Sequence, residues 1–319
     1  METRTFGDTG LEISEVGLGA WPLGGSEAGL GSYGPIDEKI AVATVRRYLD
    51  LGGNFIDSAR AYGPSETYIG KALVEGAYDR EAVIIASKTA STTSWDDVPN
   101  IRKDLETTLR ELQTEYVDLY QLHTPPEDSQ LRERIIDEFE ILREEGKINH
   151  IGASVKGPSV TDATVALSRS YIETHRIDAL QLIYSIFRTR TEQIFDESAA
   201  TGVGLIIRTS LESGFLSGKY SPNTDFSTGH RARWSKAKTE RLLKVAEELK
   251  QIAVHPPYNT LAQVALKFAL QDPRITCIIP GAKSPEQCEA NIAVAELPDL
   301  SPELIETLRE YHIEDVANP

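Results

Sequence analysis

The sequence predicts one (β/α)8 TIM barrel over residues 1–319, entered through an N-terminal β-hairpin and followed by an extra C-terminal helix. Three observations carry this expectation. Short apolar runs alternate with amphipathic helical patterns along the whole chain, the rhythm of a parallel sheet covered by helices. The residues that close those runs, Trp21, Asp57, Lys88, His123, Ser154, Gln181 and Arg208, lie 27 to 36 positions apart, near the roughly 30 residues of one βα unit. The length of 319 residues suits a barrel of about 250 residues or more. A doubly wound open sheet is the rival, but its GxGxxG fingerprint is missing: Gly17-Leu18-Gly19 runs on to Pro22 where the third glycine belongs.

Residues 3–15 read as two extended pieces around the turn Asp8-Thr9-Gly10, a hairpin placed to plug the barrel floor. Glu15–Trp21 is the first barrel strand. Asp37 caps a helix running to Leu51, with Ile40, Val45, Tyr48 and Leu49 on its apolar face and Gly52-Gly53 as its stop. The next strand ends at Asp57. A helix over Glu66–Val74 leads to a strand over Ala82–Ser87, and Asn100 is expected to cap the following helix, whose stripe is Ile101, Leu105, Leu109 and Leu112. The pattern continues with strand Tyr116–Leu122, helix Gln130–Glu145 stopped by Gly146, strand Ile148–Ala153 and helix Val160–Glu173. Strand Ala179–Tyr184, helix Thr191–Ala200 and strand Val203–Ile207 come next. The rhythm then breaks. Residues 214–240 hold Gly, Ser, Pro, Thr and Arg clusters and read as a long functional loop, with a helix near Glu240–Ile252. Thr260 caps a helix over Leu261–Leu270, Ile275–Ile279 is the eighth strand, a helix starts at Ser284, and Pro302–Tyr311 is the terminal helix.

Composition narrows the function classes. With 49 acidic and 33 basic residues the net charge is −16. Nucleic acid and anionic membrane both require a basic face, so neither is an expected partner. There is no run of 18 apolar residues, and Met1–Phe6 lacks a basic stretch leading into an apolar one. We therefore expect no membrane span and no signal peptide, and a cytoplasmic protein. The two cysteines, Cys277 and Cys288, show neither CxxC nor Cys/His spacing. They read as buried reduced thiols, and no metal site is expected.

The chemistry gathers at strand ends. Asn54-Phe55-Ile56-Asp57 runs an apolar strand into a carboxylate, and Tyr62 follows just before Gly63. Ile84–Ser87 ends on Lys88, and Leu119–Leu122 ends on His123. In a parallel barrel these ends converge on one mouth. A phenol holds its proton tightly at neutral pH, with a pKa of about 10. A neighbouring ammonium favours the phenolate and so eases proton release. Lys88 would supply that charge, Asp57 would hold Lys88, and His123 would orient a carbonyl oxygen while Tyr62 protonates it. Alone, an Asp after a strand is usually a turn cap and a single His is usually structural. Four such groups at successive strand mouths point instead to carbonyl reduction or its reverse.

With these segments in hand, the chain resembles the aldo-keto reductases over nearly its whole length. The resemblance rests on Gly17-Leu18-Gly19, Asn54–Gly63, Ser87-Lys88, Asp118–His123, Ile151–Ser154 and Ile279–Ser284, six segments in order. It implies NADP(H) as cofactor and Asp57, Tyr62, Lys88 and His123 as the catalytic tetrad. The histidine places the chain with ordinary carbonyl reducers. The resemblance further implies that Ser154 and Gln181 bond the carboxamide, with Val155 where asparagine is frequent. Arg208 stands where many members stack a tyrosine on the nicotinamide, and its guanidinium could lie on the ring or reach the pyrophosphate. Ser210, Leu211, Ser213, Gly214 and Lys219 match the segment covering the pyrophosphate. Gly281, Lys283, Ser284, Gln287 and Asn291 match the surroundings of the adenosine and its 2′-phosphate. Ser284-Pro285-Glu286-Gln287 is equally a capping box, and both roles can hold together. Trp21, with Tyr62 and His123, is implied on the substrate side. Tyr184 is expected at the mouth, and the loop residues Trp95 and Trp234 are candidates for substrate contact.

The expected activity is NADP(H)-dependent reduction of aldehydes, ketones or sugars. A sugar or polyol dehydrogenase working oxidatively and a non-catalytic NADP(H)-sensing subunit are the alternatives. The partner is a small carbonyl or alcohol, and the sequence leaves monomer and homo-oligomer open.

Overall fold

The computed structural model describes residues 1–27, 33–89, 98–155, 160–221, 223–227, 231–232 and 234–313. A short antiparallel hairpin pairs β1 (Thr3–Thr5) with β2 (Glu12–Ser14). Eight parallel strands follow: β3 (Leu18–Gly19), β4 (Phe55–Asp57), β5 (Ile84–Lys88), β6 (Val117–His123), β7 (Ile148–Ser154), β8 (Ala179–Ile183), β9 (Gly204–Arg208) and β10 (Cys277–Ile278). Each pairs with its neighbour in chain order. Parallel bridges Val16↔Ile278 and Gly19↔Gly281 join the first strand region to the last and curl the sheet into a barrel. The hairpin, the barrel and the extra terminal helix are as the sequence predicts.

Two apolar layers result. Inside the barrel, Phe6 and Ile13 of the hairpin pack with Phe55, Ile84, Ala86, Leu119, Ala179, Ile206 and Cys277. The hairpin is therefore the floor. Arg4 fastens it, donating to the carbonyls of Ile275 (2.6 Å) and Leu270 (2.8 Å) and pairing with Glu15 (2.9 Å). Gly7 makes the tight approach possible: its φ is +53°, and a Cβ there would sit 2.2 Å from the Gly202 carbonyl oxygen. Outside, the strands pack against α1 (Glu38–Asp50), α2 (Ser65–Gly76), α3 (Val98–Leu112), α4 (Ser129–Glu144), α5 (Asp162–Ile172), α6 (Phe195–Ala200), α7 (Lys236–Ala253), α8 (Leu261–Leu270), α9 (Pro285–Ile292) and α10 (Pro302–Arg309).

Several boundaries differ from the sequence reading. Asn100 lies inside α3 rather than capping it. The helix expected near Glu240–Ile252 begins earlier, at Lys236, capped by Ser235, which accepts from the Lys238 N–H at 3.3 Å. The helix expected over Thr191–Ala200 divides into a 3-10 turn (Arg190–Ile194) and α6. On α1 the buried face is Ala41, Val45 and Tyr48, while Ile40 is 45% exposed. One residue is about 100° of helix, enough to carry Ile40 off a face defined by positions 41, 45 and 48.

Tyr48 shows how the strands are fixed. Its fully enclosed hydroxyl donates to the Val16 carbonyl (3.1 Å) and accepts from the Phe55 N–H (3.1 Å), joining the chain before β3 to the start of β4. Tyr48→Phe would leave a buried N–H and a buried carbonyl unpaired. Denaturant titration of that variant should show a loss of roughly 1–3 kcal/mol, with the fold unchanged by circular dichroism.

Candidate active site

The carboxyl ends of the strands open into one cavity of about 980 Å³. At its base the four tetrad candidates come together. Lys88, fully buried, donates from Nζ to Asp57 Oδ1 at 2.6 Å and to the Ser58 carbonyl at 2.8 Å. The same Nζ lies 5.0 Å from the centre of the Tyr62 ring. The Tyr62 and His123 rings meet edge to face with centroids 5.9 Å apart. Asp57, Tyr62 and His123 line the cavity, with Lys88 beneath them. The arrangement follows from strand geometry. Asp57 and Lys88 close two adjacent strands and both point inward, because side chains alternate across a strand.

The second oxygen of Asp57 receives two amides. Gln181 Nε2 donates at 2.8 Å and Gln121 Nε2 at 3.1 Å. Ser154 Oγ donates in turn to Gln181 Oε1 at 3.0 Å. Ser154 is thus buried behind Gln181 and away from the cavity wall, with its hydroxyl committed inward. Gln121 had no signal beyond its place in strand β6. A polar residue inside the apolar run 117–122 was the available clue.

His123 is held neutral. Burial, then the charges of Lys88 and Arg208, push its imidazole down to about 3, against a weaker opposing contact from Thr89. Its Nδ1 is enclosed and has no hydrogen-bond partner among the described residues. Arg208 stands at the end of β9, donating to the Val155 carbonyl at 3.0 Å and to Thr209 Oγ1 at 3.5 Å. Its Nε is enclosed without a partner among the described residues. Burial lowers the guanidinium to about 10, and the groups whose charges act on it next are Tyr62, Arg188, Asp57 and Glu212. Arg208 therefore belongs to the tetrad end of the cavity.

The other end is cationic. Ser210, Leu211, Ser213, Gly214, Lys219, Gly281, Lys283, Gln287 and Asn291 line it, as do Arg231 and Tyr33. Lys283 Nζ donates to the carbonyls of Tyr33 (2.9 Å), Gly34 (3.3 Å) and Pro35 (3.0 Å). Arg231 donates to the Ser213 carbonyl (2.7 Å) and lies over the rings of Tyr33 and Tyr220. Burial, then Arg231 and Lys283, lowers the Lys219 amine. Asp57 is the one carboxylate among the described lining residues. The turn 209–214 is shaped for close approach, with Thr209, Glu212 and Ser213 at positive φ and a buried Arg188–Glu212 ion pair (2.7 Å) beneath it. Neither Arg231 nor this ion pair was singled out from the sequence. Arg231 lies in the loop over 214–240, which has no period.

Ser284 caps α9 as expected, its hydroxyl accepting from the Gln287 N–H at 3.3 Å. Two expectations are corrected. The anticipated capping box is shifted by one position, because Gln287 Oε1 accepts from the Lys283 N–H (3.0 Å). Tyr184 is buried away from the mouth, stacked on Phe268 and bonded to Glu192. Trp21 does line the cavity, 4.9 Å from Tyr33, and Trp234 forms part of the wall against Phe215. Trp95 lies outside the described residues. Among the described residues there is no group of acidic, histidine or cysteine side chains that could hold a metal ion. No described helix is long and apolar enough to cross a membrane.

The sequence profile of the aldo/keto reductase family matches residues 15–313. The whole chain aligns with 97% of aldo-keto reductase YhdN of Bacillus subtilis (strain 168) at 29% identity. It aligns with 95% of the L-galactose dehydrogenase of Arabidopsis thaliana at 30% identity, again over its full length. Among solved structures, the holo form of aldo-keto reductase AKR11C1 from Bacillus halodurans is similar with a TM-score of 0.76 at 27% identity, covering 98% of each chain.

The depressed His123 value has a stability consequence. Between about 3 and the ordinary 6.5 the unfolded imidazole binds protons that the folded one does not. Stability contributed by neutral His123 is complete above 6.5 and is lost as pH falls through that window. Acidification from pH 7 to pH 5 should cost the wild type on the order of 1–2 kcal/mol more than a His123→Gln protein, read from urea midpoints at the two pH values.

Proposed function

The chain belongs to the aldo/keto reductase family, whose members are oxidoreductases using nicotinamide cofactors, and from that premise we propose that it reduces aldehydes, ketones or sugars with NADPH, Tyr62 being the general acid. The observation that carries this reading is the buried Lys88–Asp57 pair set 5.0 Å below the Tyr62 ring. The residues present fit a dinucleotide. Arg208 Nε and His123 Nδ1, enclosed without a partner among the described residues, belong to the tetrad side of the cavity. Lys219, Arg231 and Lys283 gather elsewhere on its wall, where Asp57, at the tetrad, is the one carboxylate among the described lining residues. Gln181 and Arg208 would hold the nicotinamide end. Ser210, Leu211, Ser213, Gly214 and Lys219 would hold the pyrophosphate, and Gly281, Lys283, Gln287 and Asn291 the adenosine side. When bound, the nicotinamide supplies the hydride delivered to the carbonyl carbon.

This chain's own residues manage the oxygen. Neutral His123 donates a hydrogen bond to the carbonyl oxygen and fixes its position beside Tyr62. Tyr62 gives up its phenolic proton to that oxygen as negative charge develops. Lys88 stabilises the phenolate left behind, and Asp57 holds Lys88 in place. Trp21 and Trp234 exclude water from the mouth and bound the substrate. A phenolate that can regain its proton from an alcohol runs the same steps in reverse. The likeness to a dehydrogenase of L-galactose favours oxidation of a sugar as the second reading. The assembled tetrad argues against a purely sensing subunit.

Two measurements test the reading. Tyr62→Phe should bind NADPH normally yet lose ~10²–10⁴-fold in turnover of 4-nitrobenzaldehyde, the usual contribution of general acid catalysis. Half of the wild-type rate in that variant would remove Tyr62 from the role.

The preference for NADPH is tested at Lys283. Its ammonium is held by three carbonyls that leave its charge in place, so a 2′-phosphate would meet a positioned cation and take over one of those N–H donors as a charge-assisted contact. Lys283→Ala should weaken NADPH by about ten- to a hundredfold and leave NADH nearly unchanged, with a flatter salt dependence, in fluorescence titrations. Equal losses for both cofactors would show that Lys283 does not read the phosphate.

A further inference from the structure

Behind the tetrad lies a second buried carboxylate that the mechanism does not use. Glu66, in the first turn of α2, is fully buried between the barrel and α3. Its Oε1 accepts from Ser87 Oγ at 2.6 Å and from Thr108 Oγ1 at 2.8 Å. Its Oε2 pairs with Arg60, and the same guanidinium nitrogen of Arg60 reaches Glu111 at 2.8 Å. Burial raises the Glu66 carboxyl above its ordinary range, against the opposing pull of Ser87, Arg60 and Thr108. Enclosing a charge forfeits its hydration, so it needs partners. The partners it has gathered are notable for their position in the chain. Ser87 is the residue before Lys88 and faces outward where Lys88 faces inward. Arg60 is two residues before Tyr62, and its N–H donates to the Lys88 carbonyl at 3.1 Å. One residue ahead of Glu66, Ser65 Oγ shares a hydrogen bond of 2.6 Å with Ser58 Oγ, next to Asp57.

We propose that Glu66 is a positioning residue of the reductase site: from outside the barrel it clamps the Arg60 end of the Tyr62 loop to the Ser87 end of β5, and so sets the spacing between the Tyr62 phenol and the Lys88 ammonium. This rests on the reductase reading of the tetrad. The physical logic is leverage. Tyr62 sits on the loop 58–64, whose backbone is tied to β5 by Ser58 N–H to the Ala86 carbonyl (2.8 Å) and by the Arg60 contact. Lys88 is tied to the same loop through the Ser58 carbonyl. Without the Glu66 clamp the loop's Arg60 loses one of the two carboxylates that hold its side chain, and Ser87 loses its outward bond. The two groups whose separation controls proton release would then be free to drift by a fraction of an ångström to an ångström.

Glu66→Gln tests this. The amide keeps the shape and still accepts from Ser87 and Thr108, but it turns a donor toward Arg60. Turnover of 4-nitrobenzaldehyde should fall about ten- to a hundredfold, the cost of misplacing a catalytic group by about 1 Å, with NADPH affinity unchanged. The alkaline limb of the kcat profile should move to higher pH, because a phenol farther from the ammonium holds its proton more tightly. Arg60→Lys keeps the charge with shorter reach and should shift the limb in the same direction, which provides the test should Glu66→Gln fold poorly. Tyr48→Phe serves as the control, since it is destabilised elsewhere and should keep the wild-type pH profile. If Glu66→Gln and Arg60→Lys melt earlier but keep the wild-type kcat and pH profile, Glu66 is only a structural carboxylate and the inference falls. Wild-type protein run alongside separates this from the premise. An inert wild type removes the reductase reading and the inference with it, whereas an active wild type matched by both variants removes the inference alone.

Discussion

The ion pair between Lys88 and Asp57 is the constraint on which the cavity base depends. Both groups are almost completely withdrawn from water. Such a pair is unfavourable unless its remaining hydrogen-bonding capacity is met. Here Asp57 receives Lys88 on one oxygen and two glutamine amides on the other, and Lys88 also finds the Ser58 carbonyl. The pair itself bridges β4 and β5, and each added partner comes from a different place: β6, β8 and the turn after β4. Satisfying one buried pair therefore draws these segments of the barrel into a fixed arrangement at its mouth. The wall residues Tyr62 and His123 inherit their positions from it.

The proposed cofactor also requires the cavity to reconcile an acidic protein with an anionic ligand. The net charge of −16 is spread over the chain, yet the far end of the cavity gathers Lys219, Arg231 and Lys283. Lys283 and Arg231 make bonds to backbone carbonyls, which orient a cation without neutralising it. A focused local field inside an oppositely charged surface is what a phosphate-bearing cofactor requires, because low-dielectric walls concentrate the field where the ligand binds. The same carbonyl contacts join residues 33–35 to Lys283, and the Tyr33 ring lies against Arg231 and Trp21. In the proposed reading, cofactor-side cations and substrate-side aromatics are thus parts of one wall.

How much of this was legible in the sequence follows from which signals are local. Asp57, Lys88 and His123 each close an apolar run, so strand periodicity alone puts them at one mouth. Tyr62 follows from the short loop after Asp57. Glu66 read only as the start of a helix, because its partners Arg60, Ser87 and Thr108 are brought to it by packing between the loop after β4, β5, α2 and α3. Gln121 was concealed for the same reason: nothing near it in sequence shows that Asp57 has a second oxygen to satisfy. Arg231 lies where the chain has no period to read. Errors of placement were equally physical. Tyr184 sits one position beyond the end of β8, and alternation turns it away from the cavity that its neighbour Ile183 lines. Ser284 and Gln287 form a cap, but Gln287 reaches the N–H one residue earlier than the motif implies.

The charge pattern around His123 bears on why a phenol, rather than an imidazole, is the proposed acid. An imidazolium is intrinsically the better proton donor at neutral pH, with an ordinary pKa of about 6.5 against about 10 for tyrosine. Yet His123 is enclosed and flanked by the Lys88 and Arg208 cations, which hold it neutral down to about 3. It keeps one N–H to donate as a hydrogen bond but has no spare proton to transfer. The Lys88 ammonium that helps burial to disfavour an imidazolium also lies 5.0 Å from the centre of the Tyr62 ring. One buried ammonium thus faces both neighbours, and it is His123 that burial and charge remove as an acid. In the proposed mechanism the division of labour is therefore set by electrostatics, through the position of Lys88, and that position is what Asp57 holds from within the barrel and Glu66 from outside it.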